Sequence, residues 1–161
     1  NKLLKALSEF TDVEGDLKRI ERRYRVHVIC EVMYATGLRI SEIASLKTTD
    51  IDLERREIHL QQGKGGEGGR VVFLNEYAAG ILSFYINDIY PLLKRKVTYH
   101  HSPLLFGASG NQLLTIINQE LKEICSNLDV RKTTCHSFRH AFGFHFLRAG
   151  CDIRYIQELL R

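Results

Sequence analysis

The chain has 161 residues, 44% of them hydrophobic and 26% charged, which is enough for one domain with a sizeable core. Its apolar runs are too short to cross a membrane, and no charged leader with an apolar stretch and small-residue cleavage site opens it, so neither insertion nor export is expected. A net charge of +4 permits a polyanionic partner without demanding one.

Cys30, Cys125, Cys135 and Cys151 show no close pairing, so a reducing, cytoplasmic setting is expected rather than a disulfide framework. Basic residues cluster: "KRIERRYR" holds five in eight, and smaller groups follow at Arg55 and Arg56, at Lys94 to Lys96, and at Arg131 and Lys132. Any one of these clusters reads most simply as a solvated helix face.

In chain order, Leu17, Ile20, Tyr24, Val28, Val32 and Ala35 recur at three- and four-residue spacing, predicting a long core helix that Gly37 stops. Ser41 is the expected N-cap of a short helix carrying Ile43, Ala44 and Leu46. "EIHLQ" and "RVVFL" then read as two strands joined by "GKGGEGG", five glycines in seven residues, a hairpin with a long tip. Asn75 caps a further helix that Pro91 should end. "PLLF" reads as a short buried segment and "LLTIINQELKEICSNL" as an amphipathic helix. Two last helices divide at Gly150, with Asp152 capping the second. With no repeat and no domain-sized linker, the expectation is one mainly α domain with a small antiparallel β-sheet, an α+β architecture.

The chemistry concentrates in "HSFRHAFGFHFLRAG". His136 and His140 stand at the i, i+4 spacing of a helical zinc pair, but Ser137 replaces the glutamate of that motif and Arg139 sets a positive charge between the histidines, so no metal site is read. Phe138, Ala141, Phe142, His145 and Ala149 form the expected core face. His136, Arg139, His140 and Gly143 line the other face, where a guanidinium beside imidazole donors suits a phosphate and the glycine lets it approach the backbone. In "YATGLRISEI", Arg39 sits between Leu38 and Ile40 and needs a partner, which Glu42 is near enough to supply. The hairpin lacks the spacing of a phosphate-cradling loop, and Lys64 by itself is a solvent lysine.

Taken in order, "TGLRISEIASLKTTDID", the hairpin lysine, "HSFRHAFGFHFLRAG" and "DIRYIQELL" resemble the catalytic domain of the tyrosine recombinases, the phage integrase family, over nearly the whole chain. The resemblance implies that Arg39 and Arg139 hold the nonbridging oxygens of a scissile DNA phosphate. It implies that Lys64 protonates the departing 5′ oxygen, that His136 assists proton transfer with the nucleophile, and that Glu42 and His140 brace the site. Arg131 and Lys132 are expected to join Arg39, Lys64 and Arg139 in contacting DNA. Further implications are site-specific recombination through a 3′-phosphotyrosine, no metal or other cofactor, double-stranded DNA and further recombinase protomers as partners, and a nucleoid-associated location. Members of the family continue past the equivalent of "IQELL" through a Gly-His or Gly-Trp pair to the nucleophilic tyrosine. Residues 1–161 are therefore expected to be a catalytic domain shortened at its C-terminus, without the N-terminal core-binding domain and inactive in cleavage by itself. Two readings from other classes remain at this stage: a non-catalytic, integrase-like DNA-binding protein, and a helical interaction module whose arginines are structural.

Overall fold

The computed structural model describes residues 2–8, 17–61, 69–94 and 104–160. The order is α1 (Lys2–Ser8), α2 (Leu17–Thr36), α3 (Ile40–Ser45), a 3-10 turn (Thr48–Asp50), β1 (Ile51–Asp52), β2 (Glu57–Leu60), β3 (Arg70–Phe73), α4 (Glu76–Phe84), a π-helical segment (Tyr85–Ile89), α5 (Tyr90–Lys94), α6 (Gly110–Asn127), α7 (Cys135–Arg148) and α8 (Ile153–Leu159). The expected architecture of helices around a small antiparallel sheet is the one observed.

α2 is the axis of the core. From Ile20 to Ala35 its expected stripe is buried or half-buried, but burial continues around the helix to Val26, Ile29, Cys30 and Met33, because α1, α3, α4, α6, α7 and β3 all pack on it. Each such aliphatic side chain contributes about 1.5–3 kcal/mol on leaving water. His27 and Glu31 are enclosed with them, and His27 Nε2 meets Glu31 Oε1 at 3.4 Å one turn along the helix. Gly37 ends α2 with φ of +69° and its N–H on the Met33 carbonyl at 2.9 Å, a left-handed stop that side-chain-bearing residues adopt at a cost.

The sheet has order β1-β2-β3, antiparallel throughout, with Ile51 opposite Ile58 and Ile58 opposite Val72. Ile58 and Val72 face the core, and the ladder ends toward the hairpin at the pair Leu60 and Arg70. β1 was absent from the reading of the sequence, because two residues carry no alternation to detect.

Three local expectations need correction. Arg39, not Ser41, occupies the N-cap of α3; the cap is made in reverse, with the Glu42 carboxylate accepting the Arg39 N–H at 2.6 Å. Pro91 does not end the helix begun at Asn75. The chain widens into the π turn Tyr85–Ile89 just before it and stays helical to Lys94, which accommodates a residue that lacks an N–H and crowds the preceding turn. Among the described side chains, the basic run before Val26 is a solvated face only in part, at the exposed Arg19. Arg19 pairs with Glu123 at 2.5 Å, Arg22 with the buried Glu120 at 2.8 Å, and Arg25 donates to the Phe106 carbonyl at 3.5 Å, so these cations dock α2 on α6 and the loop before it. The expectations at Asn75, Asp152 and Gly150 are met: Asn75 accepts the Ala78 N–H at 2.8 Å, Asp152 accepts the Arg154 N–H at 2.8 Å, and Gly150 has φ of +85°.

All four cysteines are free thiols, and no described helix is long and apolar enough to cross a membrane. Burial pushes the Cys135 thiol up to about 12 from an ordinary 9.0. Burial, with Tyr77 and Asp88 adding to it, pushes the Tyr24 phenol up to about 12 from 10.0. The folded chain therefore keeps protons that the unfolded chain loses, and stability present below pH 9 falls as pH rises toward 12. Urea unfolding at about pH 8 and about pH 10.5 should give a lower midpoint at the higher pH; equal midpoints would contradict the assignment.

Candidate active site

The turn at Gly37 throws the chain from α2 into α3 and leaves Leu38 and Ile40 in the core, so the intervening Arg39 faces outward with 48% of its side chain exposed. It is not tucked between its neighbours as the sequence suggested. Arg139 comes from α7, whose Phe138 and Phe142 are buried against the core, and only 14% of its side chain is exposed. An enclosed guanidinium needs acceptors for its fork of donors. Arg139 donates Nη1 to the Gly37 carbonyl and Nη2 to the Leu160 carbonyl at the end of α8. Arg39 Nη2 donates to the same Leu160 oxygen at 3.4 Å. Two arginines from segments far apart in sequence thus converge on one oxygen atom.

Glu42 lies beneath them. Its Oε2 caps the Arg39 N–H and stands 3.9 Å from Arg139 Nη1, and its Oε1 is 3.8 Å from Arg39 Nη1. Oε1 also accepts a 2.8 Å hydrogen bond from Arg70 Nη2. Burial, and then the charge of Arg39, lower the Arg139 guanidinium from its usual value, Glu42 opposing the fall and Arg70 adding to it. A guanidinium in a protein keeps its proton at neutral pH, so the site remains cationic there.

His136 and His140 flank Arg139 along α7; both are exposed. Arg131 and Lys132 are exposed in the segment leading into α7. Lys64 lies outside the described residues. Two parts of the face reading change. His145 and Ala149 are exposed rather than core, with His145 Nε2 3.0 Å from the Tyr34 hydroxyl. Gly143 leaves room for a side chain rather than for an anion: a Cβ there would meet Leu160 Cδ1 at 3.2 Å, and one at Gly37 would meet Leu160 Cδ2 at 2.8 Å. The two glycines form the notch in which Leu160 sits. Among the described residues no group of three His, Cys, Asp or Glu side chains is placed to hold a metal ion.

Sequence reasoning missed Arg70 and the Leu160 carbonyl. Arg70 had a signal, since strand alternation puts it on the face of the buried Val72, where a charged residue requires a partner. A main-chain carbonyl has none.

A sequence model of the phage integrase family matches residues 4–161. The chain belongs to that family. Among its relatives, tyrosine recombinase XerC of Roseiflexus castenholzii is 36% identical over 142 residues, covering 86% of this chain and 44% of its own length. Tyrosine recombinase XerD of Bradyrhizobium diazoefficiens is 34% identical over 168 residues, covering 99% of this chain and 52% of its own length. The crystal structure of XerA recombinase matches with a TM-score of 0.71 at 28% identity, over 99% of this chain and 52% of that one. The structure of XerH bound to its difH substrate gives the same TM-score of 0.71 at 23% identity, a likeness of fold. This tyrosine recombinase chain spans about half the length of the relatives it matches.

In the recombinase domain Glu42 is both cap and counter-charge, and the two roles separate by substitution. Glu42→Ala should lower unfolding stability by about 1–2 kcal/mol, because the Arg39 N–H and the Arg70 guanidinium lose an acceptor together. Glu42→Gln keeps an amide oxygen for the cap and should lose less. Equal losses in urea denaturation would mean that the cap contributes nothing.

Proposed function

We propose that this chain is the part of a site-specific DNA recombinase that grips the scissile phosphate during strand cleavage and rejoining. The observation that carries the reading is the convergence of Arg39 and Arg139 on one oxygen. Attack on a phosphodiester builds negative charge on the nonbridging oxygens, and two forked guanidiniums aimed at one of them stabilise that charge without reorganising. In the proposed step a tyrosine hydroxyl bonds to phosphorus as the bond to the 5′ oxygen breaks; His136 takes the tyrosine proton and Lys64 gives one to the leaving oxygen. The 3′-phosphotyrosine keeps a phosphoester for the reverse reaction, so rejoining draws on no ATP. Glu42 holds Arg39, and His140, beside Arg139 on α7, braces the second guanidinium. The nucleophile in this reading is a tyrosine downstream of Leu160, as the family resemblance implies; of the chain's own tyrosines, Tyr24 and Tyr85 give their hydroxyls to the Ile81 and Leu105 carbonyls, and Tyr34 bonds His145.

Double-stranded DNA is the proposed substrate, with further protomers joining in a synapse at the nucleoid; the similarly folded Tn1549 transposon integrase was solved in complex with a circular intermediate DNA, and XerH with its difH substrate. The exposed Arg131 and Lys132 add phosphate contacts, so affinity for duplex DNA should fall steeply with salt.

The test uses a nicked suicide duplex and a denaturing gel. A chain carried on through its reading frame to a downstream tyrosine should give a covalent protein–DNA band, and Arg139→Ala in that chain should reduce its rate of formation by roughly 10²–10³. The 161-residue chain should bind DNA without forming the band. A band from the shorter chain would place the nucleophile among its own tyrosines, with the exposed Tyr155 the first to examine. No band from the longer one would favour an integrase relative that binds without cutting.

A further inference from the structure

Arg39 and Arg139 have an acid next to them, and Arg–carboxylate pairs form as readily as Arg–phosphate pairs. A free Glu42 would compete for the guanidiniums that the proposed function assigns to the substrate. The geometry keeps it short of a hydrogen bond to either guanidinium. Glu42 Oε1 is 2.8 Å from Arg70 Nη2, a hydrogen bond, but 3.8 Å from Arg39 Nη1. Glu42 Oε2 is 2.6 Å from the Arg39 main-chain N–H, but 3.9 Å from Arg139 Nη1. Each carboxylate oxygen is therefore hydrogen-bonded to a group outside the guanidinium pair and meets the pair itself only at ion-pair distance, short of a hydrogen bond.

Arg70 is well placed to do this. It is the first residue of β3, paired across the ladder with Leu60, and shares a face with the buried Val72, so the strand directs its side chain inward toward α3. Three-quarters of the Arg70 side chain is enclosed, as is three-quarters of Glu42, so solvent screens their pair only in part. Arg70 also adds a third positive charge, felt at Arg139.

We propose that Arg70 is a positioning residue for the phosphate grip, holding the Glu42 carboxylate at ion-pair distance, short of hydrogen bonds to Arg39 and Arg139, so that it competes less with the substrate for them. The proposal rests on the reading of those two arginines as phosphate ligands. Among the described residues the site sets three guanidiniums around one carboxylate. Loss of Arg70 removes one of those charges and releases Glu42 to pair with the remaining two.

The experiment uses the 161-residue chain and inorganic phosphate as the probe, read from the Nε–Hε NMR resonances of the site arginines during titration. Arg70→Ala should weaken phosphate binding by roughly tenfold, a charge effect at partly screened range. Adding Glu42→Gln to Arg70→Ala should return the affinity to at least the unsubstituted value, because the competitor is gone, and Arg70→Lys should recover part of it alone. A merely structural arginine would leave the double variant as weak as Arg70→Ala or weaker. Glu42→Gln alone, which keeps the cap, should bind phosphate at least as well as the unsubstituted chain. An unchanged Arg70→Ala, an unrecovered double variant, or weakened binding in Glu42→Gln would each overturn the proposal. Arg39→Ala and Arg139→Ala separate the two levels: if they abolish binding while Arg70→Ala does not, only the role of Arg70 fails, and if they too bind normally, the phosphate reading fails with it.

Discussion

The Arg139 guanidinium cannot reach enough water to satisfy its donors, and much of the architecture around it follows from that constraint. Its two terminal nitrogens take the Gly37 and Leu160 carbonyls, so one side chain on α7 ties the end of α2 to the end of α8. Gly37 must be glycine both for its positive φ and because a Cβ would fall 2.6 Å from Phe142. Arg39 then follows from Gly37, since the turn that exposes a carbonyl to Arg139 also swings Arg39 outward beside it. A packing requirement and a chemical arrangement are met by the same few atoms.

The basic bias of the chain divides along the same lines. Arg19, Arg22 and Arg25, in the densest cluster of the sequence, tie elements of the fold together, facing Glu123 at the surface, the buried Glu120 and the Phe106 carbonyl. The arginines at the site are isolated in sequence and meet only in three dimensions. Cation density along a chain is therefore a poor guide to where an anion binds. A cation whose neighbours are apolar is a better one, because the fold has to arrange something specific around it.

That distinction explains what was legible in the sequence. The helices were readable because their apolar residues repeat at the helical period, and Gly37, Asn75, Asp152 and Gly150 carry local backbone chemistry. Arg39 and Arg139 were legible through motifs that resemble a known family, and Glu42 through its distance from Arg39. The N-cap of α3 was misread because serine is the commoner cap, whereas here a carboxylate three residues on reaches back to a residue whose own side chain cannot accept. Pro91 was misread because a π turn relieves the clash that stops an ordinary helix. Gly143 was misread because a bare helix face looks the same in sequence whether a ligand or a leucine fills it. Arg70 and the Leu160 carbonyl needed tertiary geometry: one acts across the sheet-to-helix gap, and the other has no side-chain identity to read.

The Leu160 oxygen is main chain, and its side chain is wedged between Gly37 and Gly143. An anion that takes the place of this oxygen between the two arginines does not enter an empty cavity; it exchanges with a resident acceptor. The exchange also displaces the backbone at the end of α8, so filling the site and shifting that carbonyl become a single equilibrium. Thermodynamic reciprocity then applies: whatever draws the Leu160 carbonyl away from the arginines raises their affinity for an anion, by the same factor that the anion favours the withdrawn carbonyl.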